Sequence, residues 1–254
     1  GGFSQAPAIT YDNSLATMYL VENWIGSSGQ LRISKITGAV GSETLTTGVA
    51  FPSTLNTWAD DPGGNGDLAP QLGSTQLINT GDARIINCVY RNGSLWVSHG
   101  IFLPVNSPTR SSIQWWQLST SGAVQQRGRI DDPTGSNFYA YPSIAVNANS
   151  DVLIGYSRFS ANQFASANYS FRLATDTASA LQSETVLKAG EGVYFRTAGG
   201  TENRWGDYSS TVVDPVNDTD FWTIQEYAAT PVGSPTTNGS GRWGTWWGHI
   251  SSTP

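Results

Sequence analysis

Residues 6–12, 84–90, 141–147 and 208–214 alternate apolar and polar side chains, and each stretch runs into a turn opened by Asn: Asn13-Ser14, Asn92-Gly93, Asn149-Ser150 and Asn217-Asp218. Alternation at period two is the pattern of a strand with one buried face, and Asn suits hairpin turns because it tolerates left-handed backbone. A second alternating stretch follows each turn, at 17–22, 95–100, 152–157 and 221–226. A third follows at 30–37, 112–119, 168–174 and 242–251, and a fourth at 43–51, 124–130 and 184–190. We label the four stretches strands A to D; the fourth repeat has no strand D before Pro254. No segment carries an apolar period near 3.6, so very little helix is expected.

Ala8, Ile86, Ser143 and Ser210 hold the same place in four successive repeats, over residues of about 1–72, 73–133, 134–200 and 201–254. Four antiparallel strands repeated in series predict an all-β chain, a β-propeller of four-stranded blades forming one domain over 1–254. An ordinary β-sandwich has no reason to repeat this grammar with polar turns in fixed places. A ring of blades usually hides its edges by closing on itself. With strand D absent from the last repeat, two outcomes are expected. Either residues 1–5 complete the last blade, or an open blade edge pairs with another chain or with further blades of a longer propeller.

Charge narrows the function classes. Lys and Arg number 13 against 19 Asp and Glu, a net charge of −6, and charged residues make up 13% of the chain, about half the usual ~25%. Such a chain lacks the basic footprint of a nucleic-acid binder and has no attraction to anionic membrane surfaces. No run of ~18 apolar residues is present to span a bilayer. The 10 Trp, 10 Tyr and 9 Phe are incompatible with disorder. Cys88, the single cysteine, sits among apolar neighbours and reads as a small buried hydrophobe. The chain opens at Gly1-Gly2-Phe3 without Met, and with its few charges and abundant Gly, Ser, Thr, Asn and Trp it is expected to be a processed or truncated secreted bacterial protein.

Residues 66–73 (GDLAPQLG), 81–85 (GDARI), 91–96 (RNGSLW), 141–147 (YPSIAVN), 204–209 (RWGDYS) and 243–245 (WGT) occur in an order that resembles a family of secreted bacterial β-propellers, loosely sialidase-like and without an assigned activity. The resemblance covers nearly the whole chain. It implies the propeller fold, export, and further blades upstream in other members; it implies no reaction. The sialidase Asp-box, Ser-x-Asp-x-Gly-x-Thr-Trp, occurs in no repeat, and the Phe-Arg-Ile-Pro stretch that supplies a carboxylate-binding arginine is also missing.

Strands A and B are antiparallel neighbours, so the start of A and the end of B share one edge of a blade. With A innermost, the A-starts bring Asp82, Arg84, Tyr141, Asp207 and Tyr208 to the mouth of the central channel, and the B-ends bring Glu22, His99 and Glu226. Mouths of closed β structures are common ligand sites. Asp207, Asp82, Glu226 and Glu22 are the candidates for acid, base or nucleophile in glycoside hydrolysis or polysaccharide cleavage. For hydrolysis, carboxyls ~5–5.5 Å apart predict retention and ~6.5–9.5 Å inversion. Arg84, Tyr208, Tyr141, His99 and Trp205 are the candidate ligand-binding residues. Each has a structural alternative: the aspartates as acceptors in tight turns, Arg84 in an ion pair with one of them, Glu22 and Glu226 as solvated strand ends, His99 packed near Trp96.

Two histidines in different repeats do not make a zinc site, and no dinucleotide, phosphate-loop or nucleophile-elbow motif is present. No cofactor is implied. A structural calcium ion stays open, because Asp, Asn and backbone carbonyls suit a hard cation, although Asp214, Asp218 and Asp220 read first as a polar turn. Adjacent tryptophans, Trp115-Trp116 and Trp246-Trp247, must point to opposite faces, one into blade packing and the other outward, where it could stack on sugar rings. The Gly-rich loops 53–67 and 194–203 could carry such a surface. The expectation is therefore an extracellular propeller that recognises carbohydrate or another cell-surface polymer. A glycosidase or lyase using rim carboxylates, or a structural repeat in an extracellular assembly, are the alternatives.

Overall fold

The computed structural model describes residues 4–251. Blade 1 is built from β1 (Ala6–Thr10), β2 (Met18–Ile25), β3 (Gln30–Thr37) and β4 (Thr44–Ala50). A hairpin of β5 (Asp67–Gln71) and β6 (Ser74–Asn79) follows. Blade 2 is β7 (Ile85–Arg91), β8 (Ser94–Leu103), β9 (Arg110–Ser119) and β10 (Val124–Ile130). Blade 3 is β11 (Asn137–Val146), β12 (Val152–Ser160), β13 (Gln163–Arg172) and β14 (Thr185–Lys188). Blade 4 has three strands, β15 (Ser210–Val213), β16 (Phe221–Ala229) and β17 (Arg242–Ile250). Among the described residues the only helix is one 3-10 turn, Gly26–Ser28, and no helix is long and apolar enough to cross a membrane.

Within each blade successive strands pair antiparallel. The innermost strands of blades 1 and 2, β1 and β7, run parallel and pair from Ala8↔Cys88 to Thr10↔Tyr90. The chain is thus an all-β propeller arc of four blades, as the alternation predicts.

Blades 2 and 3 each bury one face against the preceding blade and the other against the following one. Val21, Leu31 and Ile33 of blade 1 pack on Ile85, Val97 and Trp116 of blade 2. The other face of blade 2, with Trp96, Ile113 and Trp115, packs on Ile144, Val152 and Ile154 of blade 3. Ala145 and Leu153 of blade 3 then meet Val213 and Phe221 of blade 4. Trp115 and Trp116 consequently point to opposite faces, yet both are fully buried, because blade 2 has a neighbour on each side. The outward-facing member expected of that pair does not exist. In the 53–67 loop Trp58, also fully buried, packs edge-on against Trp116 at 6.0 Å and His99 at 5.3 Å. Cys88 lies in the first layer, where burial pushes its thiol far up.

One rim of the arc is tied by its turns. The Arg91 guanidinium pairs with the Asp218 carboxylate between blades 2 and 4, Asn147 Nδ2 donates to Thr219 O at 2.7 Å, and Asn92 Nδ2 donates to Ala148 O at 2.9 Å. Asp214 accepts the Trp222 indole N–H at 2.7 Å, and Asp220 faces the His249 ring at 3.1 Å. The acidic turn of blade 4 is therefore engaged side chain by side chain, and among the described residues no group of three His, Cys, Asp or Glu is arranged to hold a metal ion.

The sequence pattern places no strand between residues 51 and 84, where the structure has the β5–β6 hairpin. It is pinned by Gln71, whose amide donates to Gln76 O and Tyr194 O at 2.8 Å each and accepts the Tyr194 N–H at 2.7 Å. Asp67 accepts the Asn203 N–H at 3.0 and 2.9 Å, so the two Gly-rich loops hold each other.

Candidate functional site

The opposite rim opens into a cleft of about 220 Å3. The A-starts of blades 2 to 4 converge on it: Asp82 and Arg84 ahead of β7, Tyr141 and Pro142 within β11, and Arg204, Asp207 and Tyr208 ahead of β15. Asn79, Ile86, Ser98 and Gly100 also line it.

Backbone conformation shapes the back wall. Gly81 has φ +71°, and a Cβ there would lie 3.1 Å from the Tyr141 ring, so glycine lets the chain turn tightly over the tyrosine. Tyr141 itself has φ +56° at an irregularity in the β11–β12 pairing between Ala140 and Ser143. A bulky residue in the left-handed region is strained and needs its surroundings to hold it there. The Tyr141 hydroxyl donates to Asn79 O at 2.9 Å, and Ser209 Oγ donates to Tyr141 O at 2.9 Å. Burial, with the Asp207 charge second, raises the phenol far above its ordinary range. The ring is a fixed neutral wall.

Two guanidinium–carboxylate pairs form the sides. Arg84 Nε donates to Asp82 Oδ1 at 2.8 Å and its Nη2 to Oδ2 at 2.6 Å. Arg204 Nη2 donates to both Asp207 oxygens at 2.8 and 2.7 Å, and its Nη1 reaches Glu202 at 3.3 Å. The hydrogen bonds it donates to Asp82 hold Arg84 above its ordinary pKa. Each pair closes within its own entry loop, so neither bridges two blades. The side chains are partly exposed, the aspartates and arginines from 23% to 48%, and such pairs stabilise a fold by only ~0–1 kcal/mol. All four residues line the cleft. Tyr208 is 67% exposed at its mouth.

Glu226, within β16, packs against Gly206, the residue before Asp207. It is 7% exposed, and a Cβ on Gly206 would fall 1.8 Å from its Oε1. Its Oε2 has no hydrogen-bond partner. Burial, with the neighbouring Asp207 charge second, pushes its pKa up to about 8, so the carboxyl keeps its proton at neutral pH.

The other predicted residues stand elsewhere. Glu22 is buried in blade 1, paired with Arg32. His99 is fully buried; Trp116 Nε1 donates to its Nε2 at 3.1 Å, and desolvation pushes its pKa down to about 4. Trp205 is buried between Phe159 and Tyr194, and its indole N–H donates to Ser157 Oγ at 3.1 Å. Sequence reasoning assigned no role to Arg204 or Asn79. Arg204 was visible in the stretch 204–209 as a cation three residues before Asp207. Asn79 carried no local signal, since its place is set by the unexpected hairpin.

No family model matches the chain, and no curated protein matches it. Among solved structures it is similar to the α-L-arabinanase of Penicillium chrysogenum complexed with arabinobiose, at 10% identity over 91% of this chain and 71% of that one, TM-score 0.40. It is similar to an endo-arabinase from Bacteroides thetaiotaomicron at 8% identity over 98% and 95%, TM-score 0.34. A third is the endo-arabinanase from Bacillus licheniformis, at 13% identity over 97% and 71%, TM-score 0.37. At these scores the likenesses carry no weight for function; the propeller architecture rests on the chain's own blades.

Proposed function

We propose that the cleft between blades 2, 3 and 4 binds a neutral saccharide unit of an extracellular polymer. The supporting observation is the pairing of Arg84 with Asp82 and Arg204 with Asp207 on the walls of one cleft. Each pair presents donors and acceptors side by side with no net charge, which suits the vicinal hydroxyls of an uncharged sugar. A polyanionic glycan would meet both carboxylates. Tyr208 at the mouth offers a flat apolar face for the C–H side of a sugar ring. The volume lies below the ~300–1,000 Å3 of drug-sized sites, which fits one sugar ring with the remaining polymer outside. The low charge and the Gly, Ser, Thr and Trp content support an extracellular setting, and the repeat motifs support kinship with secreted bacterial propellers.

The test is a glycan array probed with the wild-type chain and with Arg84→Met/Arg204→Met. The wild type should bind a set of neutral glycans that the variant loses, at an unchanged melting temperature. Equal binding by both chains would mean that the saccharide does not bind in the cleft.

Glu226 favours a second reading, hydrolysis of that saccharide. A buried carboxyl that keeps its proton next to the Arg204–Asp207 pair has the character of a general acid. In that case Glu226→Gln abolishes release of reducing sugar while leaving affinity intact, whereas a pure binding protein releases none in either form.

A further inference from the structure

Arg32, Arg84, Arg91, Arg110, Arg158 and Arg204 each stand against a carboxylate. Arg127 and Arg129 do not: among the described residues neither is ion-paired with an Asp or Glu, and the two are neighbours. Both lie on β10, the outermost strand of blade 2, two residues apart and so on one face. They oppose Trp116 and Gln114 of β9, and Trp116 belongs to the layer shared with blade 1. The two guanidiniums therefore project into the outer crevice between blades 1 and 2. Arg129 Nη2 donates across it to Asn56 O at 2.8 Å and Thr57 O at 3.1 Å, in the loop that leaves blade 1.

Both side chains converge on one oxygen. Arg127 Nη1 and Arg129 Nε donate to Gln114 Oε1 at 2.9 and 2.8 Å. Only the amide oxygen can accept, so the guanidiniums fix the orientation of the Gln114 amide. That side chain is fully buried, and its Nε2 has no hydrogen-bond partner, a costly state for a donor removed from water. Asp131, the carboxylate whose charge favours protonated Arg129, is engaged elsewhere. It accepts Arg110 Nε at 2.8 Å, Arg110 Nη2 at 3.1 Å and Ser112 Oγ at 2.5 Å.

Two cations thus sit side by side, half-buried, in a chain of net charge −6. Desolvation lowers the pKa of both, and the Arg127 charge lowers that of Arg129 further, to about 10, so both stay charged at neutral pH. The groups they leave free are all of one kind. Arg127 Nε and Nη2, Arg129 Nη1 and Gln114 Nε2 are donors with no acceptor against them among the described residues.

We propose that Arg127, Arg129 and the Gln114 amide form a binding site for a doubly charged oxyanion of the phosphate or sulfate class, in the outer crevice between blades 1 and 2. The forked N–H groups of a guanidinium match two oxygens of such an anion, and two guanidiniums match its two charges. A free ion and a phosphate monoester on a polymer present the same chemistry to the site. None of the three residues lines the cleft, so the site stands whatever the cleft binds.

The experiment is titration calorimetry with sodium phosphate at pH about 7.5, where a phosphate group carries close to two charges, with ionic strength held constant by sodium chloride. Thermal melts accompany it. The wild type should bind a single phosphate and melt higher in its presence. Arg127→Gln should bind at least about tenfold more weakly and, without phosphate, melt no lower than the wild type, because it relieves the repulsion from Arg129. Arg129→Lys keeps the charge but loses the fork, and should weaken binding to a similar degree. Methyl phosphate separates the two sources: equal affinity supports a site for an esterified group, and weaker binding than phosphate supports a site for the free ion. Absence of binding by both probes overturns the proposal. So does phosphate affinity unchanged in Arg127→Gln, and so does a melting shift that chloride alone reproduces.

Discussion

Replacing Glu226 with Gln isolates the proton that the buried carboxyl retains. In the unfolded chain this group titrates at its ordinary 4.5, and in the folded chain at about 8. Between those values the native state binds a proton that the unfolded state has released, so stability falls as pH rises across the window. The slope is ~1.4 kcal/mol per pH unit, or ~5 kcal/mol over the whole window. The contribution is fully present below about 4.5 and constant again above about 8. His99 works in the opposite direction. Its folded pKa near 4 lies below its ordinary 6.5, so its contribution is lost as pH falls from 6.5 to 4. The His99 effect is common to wild type and variant and cancels in their difference. Glu226→Gln keeps the shape and removes the titration; Oε2, which has no partner, is the oxygen whose replacement disturbs no hydrogen bond. Urea unfolding followed by tryptophan fluorescence at pH 4.5, 6, 7 and 8.5 gives the difference directly. The variant should match the wild type at pH 4.5 and exceed it by several kcal/mol at pH 8.5. A difference that does not change with pH would refute the assignment of a retained proton to Glu226.

Three further outcomes follow from the same geometry. Asp207→Asn removes the partner of Arg204 at an exposed pair, so the melting temperature should stay nearly constant while saccharide affinity, by titration calorimetry, weakens about tenfold to a hundredfold. Gly206→Ala drives a methyl group into the Glu226 carboxyl and should cost ~1–3 kcal/mol by urea unfolding, with loss of binding as Asp207 shifts. Trp116→Ala empties the layer shared by blades 1 and 2 and should cost ~3–5 kcal/mol, leaving the cleft residues in place if the chain still folds.

The blades were legible because a sheet buried on alternating faces writes its period into the sequence. The expected third strand of blade 1 at 30–37 and fourth strand of blade 2 at 124–130 are β3 and β10 residue for residue. The site was legible in part for the same reason: once β7, β11 and β15 are parallel inner strands, the residues ahead of them converge, and Asp82, Arg84, Tyr141, Asp207 and Tyr208 meet in one cleft. His99 and Glu22 were expected at strand ends, but β8 runs on to Leu103 and β2 to Ile25, and alternation alone cannot say that a neighbouring blade will bury them. Nor does local pattern reveal β5–β6, whose stability comes from Gln71 reaching Tyr194, 123 residues away.

The uncovered aromatics of β17 are the rival location for a sugar. Trp246 is 46% exposed, with Lys188 4.9 Å from its ring, and could stack a saccharide with no help from the cleft. A crystal structure of the protein soaked with the strongest neutral oligosaccharide from the array decides between the two. One sugar ring should lie between the Arg84–Asp82 and Arg204–Asp207 pairs, with its C–H face on Tyr208. Density for the sugar on Trp246 or Trp243, with the cleft holding only water, would contradict that placement.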